Sequence, residues 1–117
     1  MTIQDVINAT GAKLLTPNAD LSKPVTCVYA GDLLSLVMAA GQPGMAWITV
    51  QTHMNVIAVA SNLEMPVVII SEGITMEETS LSKAEDEGIA VLSSEKTNYE
   101  LSGLLWAQGL PAEAAEE

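Results

Sequence analysis

Short apolar runs alternate along the chain with helix-length stretches, and nearly every boundary between them is polar or glycine. The clearest unit is Trp47–Leu63 (WITVQTHMNVIAVASNL). Strand-like residues Trp47 to Gln51 run into a polar corner, Gln51-Thr52-His53, and an almost wholly apolar segment begins at Met54. Strand, polar hinge and buried helix form the half-unit of an α/β sheet.

The remaining pattern extends this reading. Thr2 can cap a first helix, with Asp5 three residues on as a capping-box variant, Ile3, Val6 and Ile7 as its apolar face and Gly11 as its end. Ala12–Thr16 is a short strand candidate and Pro17-Asn18 a turn. Val25–Ala30 reads as a β-branched strand broken by Gly31-Asp32. Leu33–Ala40 is apolar around most of a helical turn and stops at Gly41-Gln42-Pro43-Gly44. Pro66–Ser71 is a continuous apolar run, the mark of a strand covered on both faces, and Glu72-Gly73 turns the chain after it. Glu77–Glu87 is a charged helix with Leu81 and Ala84 inward, Gly88 ends it, and Ile89–Leu92 is a last strand before Ser93-Ser94. Thr97-Asn98-Tyr99-Glu100 is a capping box for a final helix with Leu101, Leu104 and Leu105 as its stripe, stopped by Gly109 and Pro111.

Strands separated from the next strand by a helix and only a few connecting residues must run parallel. The expected fold class is therefore α/β, a small, mostly parallel sheet flanked by helices. One domain is expected over residues 1–109, with 110–117 an acidic tail expected to fray. Leu33–Ala40 and Met54–Leu63 are apolar nearly all round, more than so small a core can hide. At least one of them is expected to be buried against a second copy in a homodimer.

Charge narrows the partners. The net charge is −11, with Lys13, Lys23, Lys83 and Lys96 as the lysines and no arginine. That argues against nucleic acid and acidic membranes, which need a basic patch, and removes the bidentate arginine clamp on phosphoryl groups. Cys27 is alone inside Val25–Ala30, so a packed thiol is expected rather than a disulfide or a nucleophile. No basic region precedes an apolar one at the N-terminus, and Asn62, Glu64 and Pro66 interrupt the longest apolar run, so a cytoplasmic protein without a membrane span is expected.

Candidate chemistry lies at the carboxyl ends of the strands, where open parallel sheets bind ligands. Those ends are Gly31-Asp32, Gln51-Thr52-His53 with Asn55 just beyond, Ser71-Glu72-Gly73, and Ser93-Ser94. Taken singly each is an ordinary corner, with Thr52 and Asn55 good cap residues. Their shared edge makes Gly31, Asp32, Gln51, Thr52, His53, Asn55, Ser71, Glu72 and Gly73 the candidate ligand-binding set. His53, the one histidine, has three readings in descending order: a capping or hinge residue, a ligand contact, and a metal ligand or general base. No tight His/Cys/carboxylate spacing supports a metal, and no GxxxxGK[ST], GxGxxG or GxSxG motif is present, so neither a catalytic residue nor a cofactor follows.

VYAGDLLSLVMA (Val28–Ala39) followed by WITVQTHMNVIAVASNL resembles the small stand-alone DRTGG-domain proteins of bacteria, as do PVVIISEGITMEET (Pro66–Thr79), GIAVLSS (Gly88–Ser94) and TNYEL (Thr97–Leu101). The Asp-Arg-Thr-Gly-Gly stretch that names the family corresponds here to Ser71-Glu72-Gly73, where the glycine is kept and the arginine is missing. The resemblance implies a domain similar to the N-terminal domain of the HPr kinase/phosphorylase, with related modules in phosphate acetyltransferases and, between CBS domains, in regulated pyrophosphatases. It implies a regulatory, dimer-forming module rather than an enzyme, and a kinase label has no phosphate-loop motif to support it. It further implies a hydrogenase or electron-transfer protein as partner. The functional expectation is a non-catalytic module binding a small ligand, such as a nucleotide, at the strand-end edge. The alternative is a protein-interaction subunit of a larger redox or metabolic enzyme system with no small-molecule site.

Overall fold

A computed structural model describes residues 1–114. The elements run α1 (Ile3–Thr10), β1 (Lys13–Leu14), β2 (Cys27–Ala30), α2 (Leu34–Ala40), β3 (Met45–Thr49), α3 (Met54–Asn62), β4 (Val67–Ile70), α4 (Glu78–Glu87), β5 (Ala90–Ser93) and α5 (Asn98–Ala107). The strands form one sheet in the order β1-β5-β4-β3-β2. β2 to β5 are parallel, and β1 joins β5 antiparallel, so the sheet is mixed with a parallel body. The α/β class and the flanking helices are as the pattern predicts.

Successive strands step across the sheet in one direction, so the crossovers α2, α3 and α4 share one face. Val37, Val56, Ile57, Ala60 and Ala84 from those helices meet Met45, Trp47, Val68, Ile70 and Val91 there. α1 and α5 cover the other face, where Ile3, Val6, Leu101 and Leu105 meet Ala46, Ile48, Val67, Ile69, Ala90 and Leu92. The alternation of Met45 and Trp47 with Ala46 and Ile48 is the period of two that divides a strand between two buried faces.

Both predicted capping boxes form. Thr2 and Asp5 exchange bonds at the start of α1, Thr97 and Glu100 at the start of α5, and Gly11 and Gly88 end their helices in the left-handed conformation. The central strand is placed two residues earlier than Trp47–Gln51, because Val50 N–H turns aside to a side chain instead of continuing the ladder. Cys27 is fully buried, and that burial pushes its thiol pKa up, as a packed thiol requires.

The two apolar helices differ. α3 sits between α2 and α4 and buries Val56, Ile57 and Ala60. α2 buries only Val37 and leaves Leu36 55% and Met38 60% exposed, and its N-cap Leu33 is 60% exposed.

Beyond α5, Leu110 is buried and Pro111 O accepts the Val28 amide at 2.9 Å, while Ala114 N–H reaches Gln42 Oε1 at 3.0 Å. The first part of the anticipated tail thus lies as a strap across the edge strand β2. Residues 115–117 of that tail lie outside the described residues. No helix among the described residues is long and apolar enough to cross a membrane.

Candidate functional site

The predicted residues stand at the carboxyl ends of β2, β3 and β4, and hydrogen bonds gather most of them into two clusters. In the first, Asp32 Oδ1 accepts the Thr49 hydroxyl and the Val50 amide, both at 2.8 Å. Gln51 Nε2 donates to Asp32 O at 3.1 Å, and Gln51 N–H donates to Thr49 Oγ1 at 3.1 Å. Gly31 N–H donates to Ile48 O, and Gly31 O accepts the Trp47 indole at 2.8 Å. A side chain at Gly31 would stand 2.7 Å from the Tyr29 ring, so this corner is closed by packing as well as by bonds. Thr49 is fully buried, and its hydroxyl proton would be left without an acceptor if Asp32 were removed.

The second cluster joins the β4 corner to the loop after β5. Buried Ser71 donates its hydroxyl to Asn98 Oδ1 in a short hydrogen bond. Glu72 and Gly73 are both left-handed, with φ 64 and 70. That turn aims their amides inward, Glu72 N–H to Lys96 O at 3.0 Å and Gly73 N–H to Ser94 O at 2.8 Å. Amides spent in this way offer no cradle to a phosphate at this corner.

His53 belongs to neither cluster. It is the N-cap of α3, its Nδ1 accepting the Asn55 amide at 3.1 Å. That is the first of its three readings, and neither neighbour expected to cap, Thr52 or Asn55, takes that position. A ring whose Nδ1 accepts an amide carries its neutral-state proton on Nε2, which is left free to meet a ligand. Among the described residues His53 shares no hydrogen bond or ion pair with Asp32 or Glu72, and no three His, Cys, Asp or Glu side chains are grouped to hold a metal.

Two concavities open beside this edge. A polar cleft of about 400 Å³ lies between Gly11, Lys13, Gly73, Ser94, Glu95 and Lys96. The larger, about 670 Å³, runs between α5 and the edge strand β2, lined by Val28, Ala30, Tyr99, Gly103, Leu104 and Trp106, with Lys96 at the end nearest the strand ends. Sequence reasoning did not find this groove. Its signal was Tyr99, Gly103 and Trp106, spaced i, i+4, i+7 on the side of α5 away from Leu101 and Leu105. Tyr99 is 88% and Trp106 71% exposed.

No protein-family model and no curated protein matches the chain. A solved structure does: the CBS and DRTGG domains of the regulatory region of Clostridium perfringens pyrophosphatase, complexed with its activator, diadenosine tetraphosphate. The similarity covers 99% of this chain and 51% of that one, at a TM-score of 0.70 and 15% identity. This chain therefore spans about half the length of that regulatory region. The likeness is one of fold, and the fold is a DRTGG-like α/β domain.

Proposed function

We propose that the chain is a non-catalytic regulatory module of the stand-alone DRTGG type. In this reading it forms a homodimer through α2 and takes a small ligand, a nucleotide foremost, at the strand-end edge. The ligand meets Gly31, Asp32, Gln51, Thr52, His53 and Asn55 on one side and Ser71, Glu72 and Gly73 on the other. One observation supports the non-catalytic part: Asp32 Oδ1 and His53 Nδ1 already accept backbone amides, and among the described residues no hydrogen bond pairs Asp32, His53 or Glu72 with one another as acid and base. Such an edge is rigid and polar, suited to recognition. The pyrophosphatase region of similar fold is regulatory and takes a nucleotide activator, which supports the same role here. A ligand acts in such a module by favouring one dimeric or partner-bound arrangement over another.

Isothermal titration with ATP, AMP and diadenosine tetraphosphate tests the reading, alongside Gln51→Ala and His53→Asn. The asparagine retains an N-cap, so a loss of affinity in that variant reports contact with the ligand rather than damage to α3. Binding weakened about tenfold or more in either variant is the expected result. Affinity unchanged in both removes the site from this edge.

The second reading, an interaction subunit of a larger redox or metabolic enzyme, is favoured by the inward-turned amides of Glu72 and Gly73 and by the exposed apolar face of α2. Titrations that stay flat at millimolar nucleotide, with a stoichiometric hydrogenase or electron-transfer partner recovered from native extract, would select it.

A further inference from the structure

We propose that the groove between α5 and β2 binds a flat aromatic molecule carrying an anionic group. The ring system sits on the bare backbone of Gly103 between Tyr99 and Trp106, and the anion points toward Lys96. This site is separate from the strand corners and stands whether or not those corners bind a nucleotide.

Gly103 is the starting point. Glycine inside a helix is destabilising relative to alanine, so its presence calls for a reason. A turn or a tight contact is the usual one, and neither applies: Gly103 lies in the body of α5, its φ is not positive, and a Cβ built on it meets nothing within 4 Å. The fold does not require a glycine here. The groove does, because any side chain there would stand in it between the two aromatic residues.

Tyr99 and Trp106 are seven residues apart on one helix, about 10 Å along its axis, which leaves room for a two-ring system between them. Rings so exposed gain from being covered, and aromatic side chains take ligand rings in stacked or edge-on contact. The opposite wall is apolar, from Val28 and Ala30 of β2 with Leu110 and Pro111 beyond α5. A volume of about 670 Å³ falls within the range of small-molecule sites, roughly 300–1,000 Å³.

Charge chooses the substituent. Lys96 Nζ donates to Thr10 O at 3.1 Å and, as an ammonium, keeps two further donors. Glu100, the other charged group lining the groove, has Oε1 turned back on the helix cap, accepting from Thr97 N–H at 3.2 Å and Thr97 Oγ1 at 3.3 Å. The cationic donors at that end therefore come from the lysine, with the exposed Tyr99 hydroxyl a neutral donor beside them.

The test uses 8-anilinonaphthalene-1-sulfonate, a flat aromatic anion whose emission rises on transfer to an apolar site. Saturable binding to the native protein is expected. Gly103→Leu should weaken it at least tenfold while the melting midpoint stays level or rises, because leucine is a good helix former and the space is empty. Trp106→Ala should weaken it about tenfold. Leu36→Glu, on the exposed face of α2, should leave it unchanged, and the uncharged N-phenyl-1-naphthylamine should bind several-fold more weakly than the sulfonate. Three results would overturn the proposal: no saturable binding at millimolar dye, wild-type affinity in Gly103→Leu, or loss of binding in Leu36→Glu. Equal affinity for the uncharged dye would remove Lys96 from the site and with it the anionic ligand class.

Discussion

Asp32 and Thr49 bind the ends of neighbouring strands together: the Thr49 hydroxyl, wholly buried, donates to Asp32 Oδ1 at 2.8 Å. The same oxygen takes the Val50 amide. Asp32→Ala leaves both donors without an acceptor and should cost about 1–3 kcal/mol. Asp32→Asn, which keeps a carbonyl oxygen in place, should cost clearly less. Urea denaturation midpoints compare the two. A neutral alanine variant would show that water replaces the carboxylate without loss. Asp32→Ala is for the same reason a poor probe of ligand contact, since it loosens the corner it is meant to test.

His53 holds the start of α3 through Asn55 N–H. Removing an N-cap of this kind typically costs about 1 kcal/mol. His53→Ala should lower the thermal midpoint, and His53→Asp should restore it, because aspartate caps well and sits favourably at a helix N-terminus. Equal midpoints for alanine and aspartate would mean that the imidazole bond contributes nothing.

The dimer proposed through α2 has a direct check. Leu36 is more than half exposed on α2, which buries only Val37. Leu36→Glu should shift sedimentation from dimer to monomer without a loss of helical signal. A dimer that survives the substitution places its interface elsewhere.

Acid should weaken α1. Asp5 has its pKa held below the usual aspartate value, first by the hydrogen bond from the Thr2 amide and then by that from the Thr2 hydroxyl. The unfolded chain then binds its proton first as pH falls. The cap's contribution is full above the ordinary value of about 3.9 and is lost as pH drops through the lower folded one. Stability measured down that range should fall less steeply for Asp5→Asn than for the wild type.

Glu72 occupies a conformation that suits glycine, with φ 64. Glu72→Gly should stabilise the protein by about 0.5–1 kcal/mol if the side chain has no other task. A stabilised variant with weakened ligand binding would show that the glutamate is kept for contact at the strand-end edge.

Much of this fold is written in local pattern. Thr2 with Asp5 and Thr97 with Glu100 mark helix starts because a capping box needs only residues three apart. Val67–Ile70 reads as a central strand because both of its faces are covered. Long-range geometry is what sequence did not carry. α2 and α3 look alike in composition, and only their places over the sheet, α3 central and α2 beside the edge, separate an exposed face from a buried one. β1 has two residues, too few for periodicity, and its antiparallel direction is set by its pairing with β5. The candidate residues stand at the strand ends as the pattern places them, yet the inward turn of the Glu72 and Gly73 amides depends on a loop more than twenty residues downstream. The groove on α5 was not legible because the capping box and the leucines mark only the buried stripe of Leu101 and Leu105, while Leu104 in fact lines the groove.

The bond from Val28 to Pro111 bears on how these molecules behave when crowded. An open sheet edge is a template on which another chain can grow, the first step toward aggregation. On β2 the Val28 donor is taken by a proline, which has no N–H of its own and so cannot pass the ladder outward. At the far side, the sheet finishes in a strand of two residues, too short to recruit a neighbour. With both margins blunted, the apolar strands between them stay the private interior of one molecule.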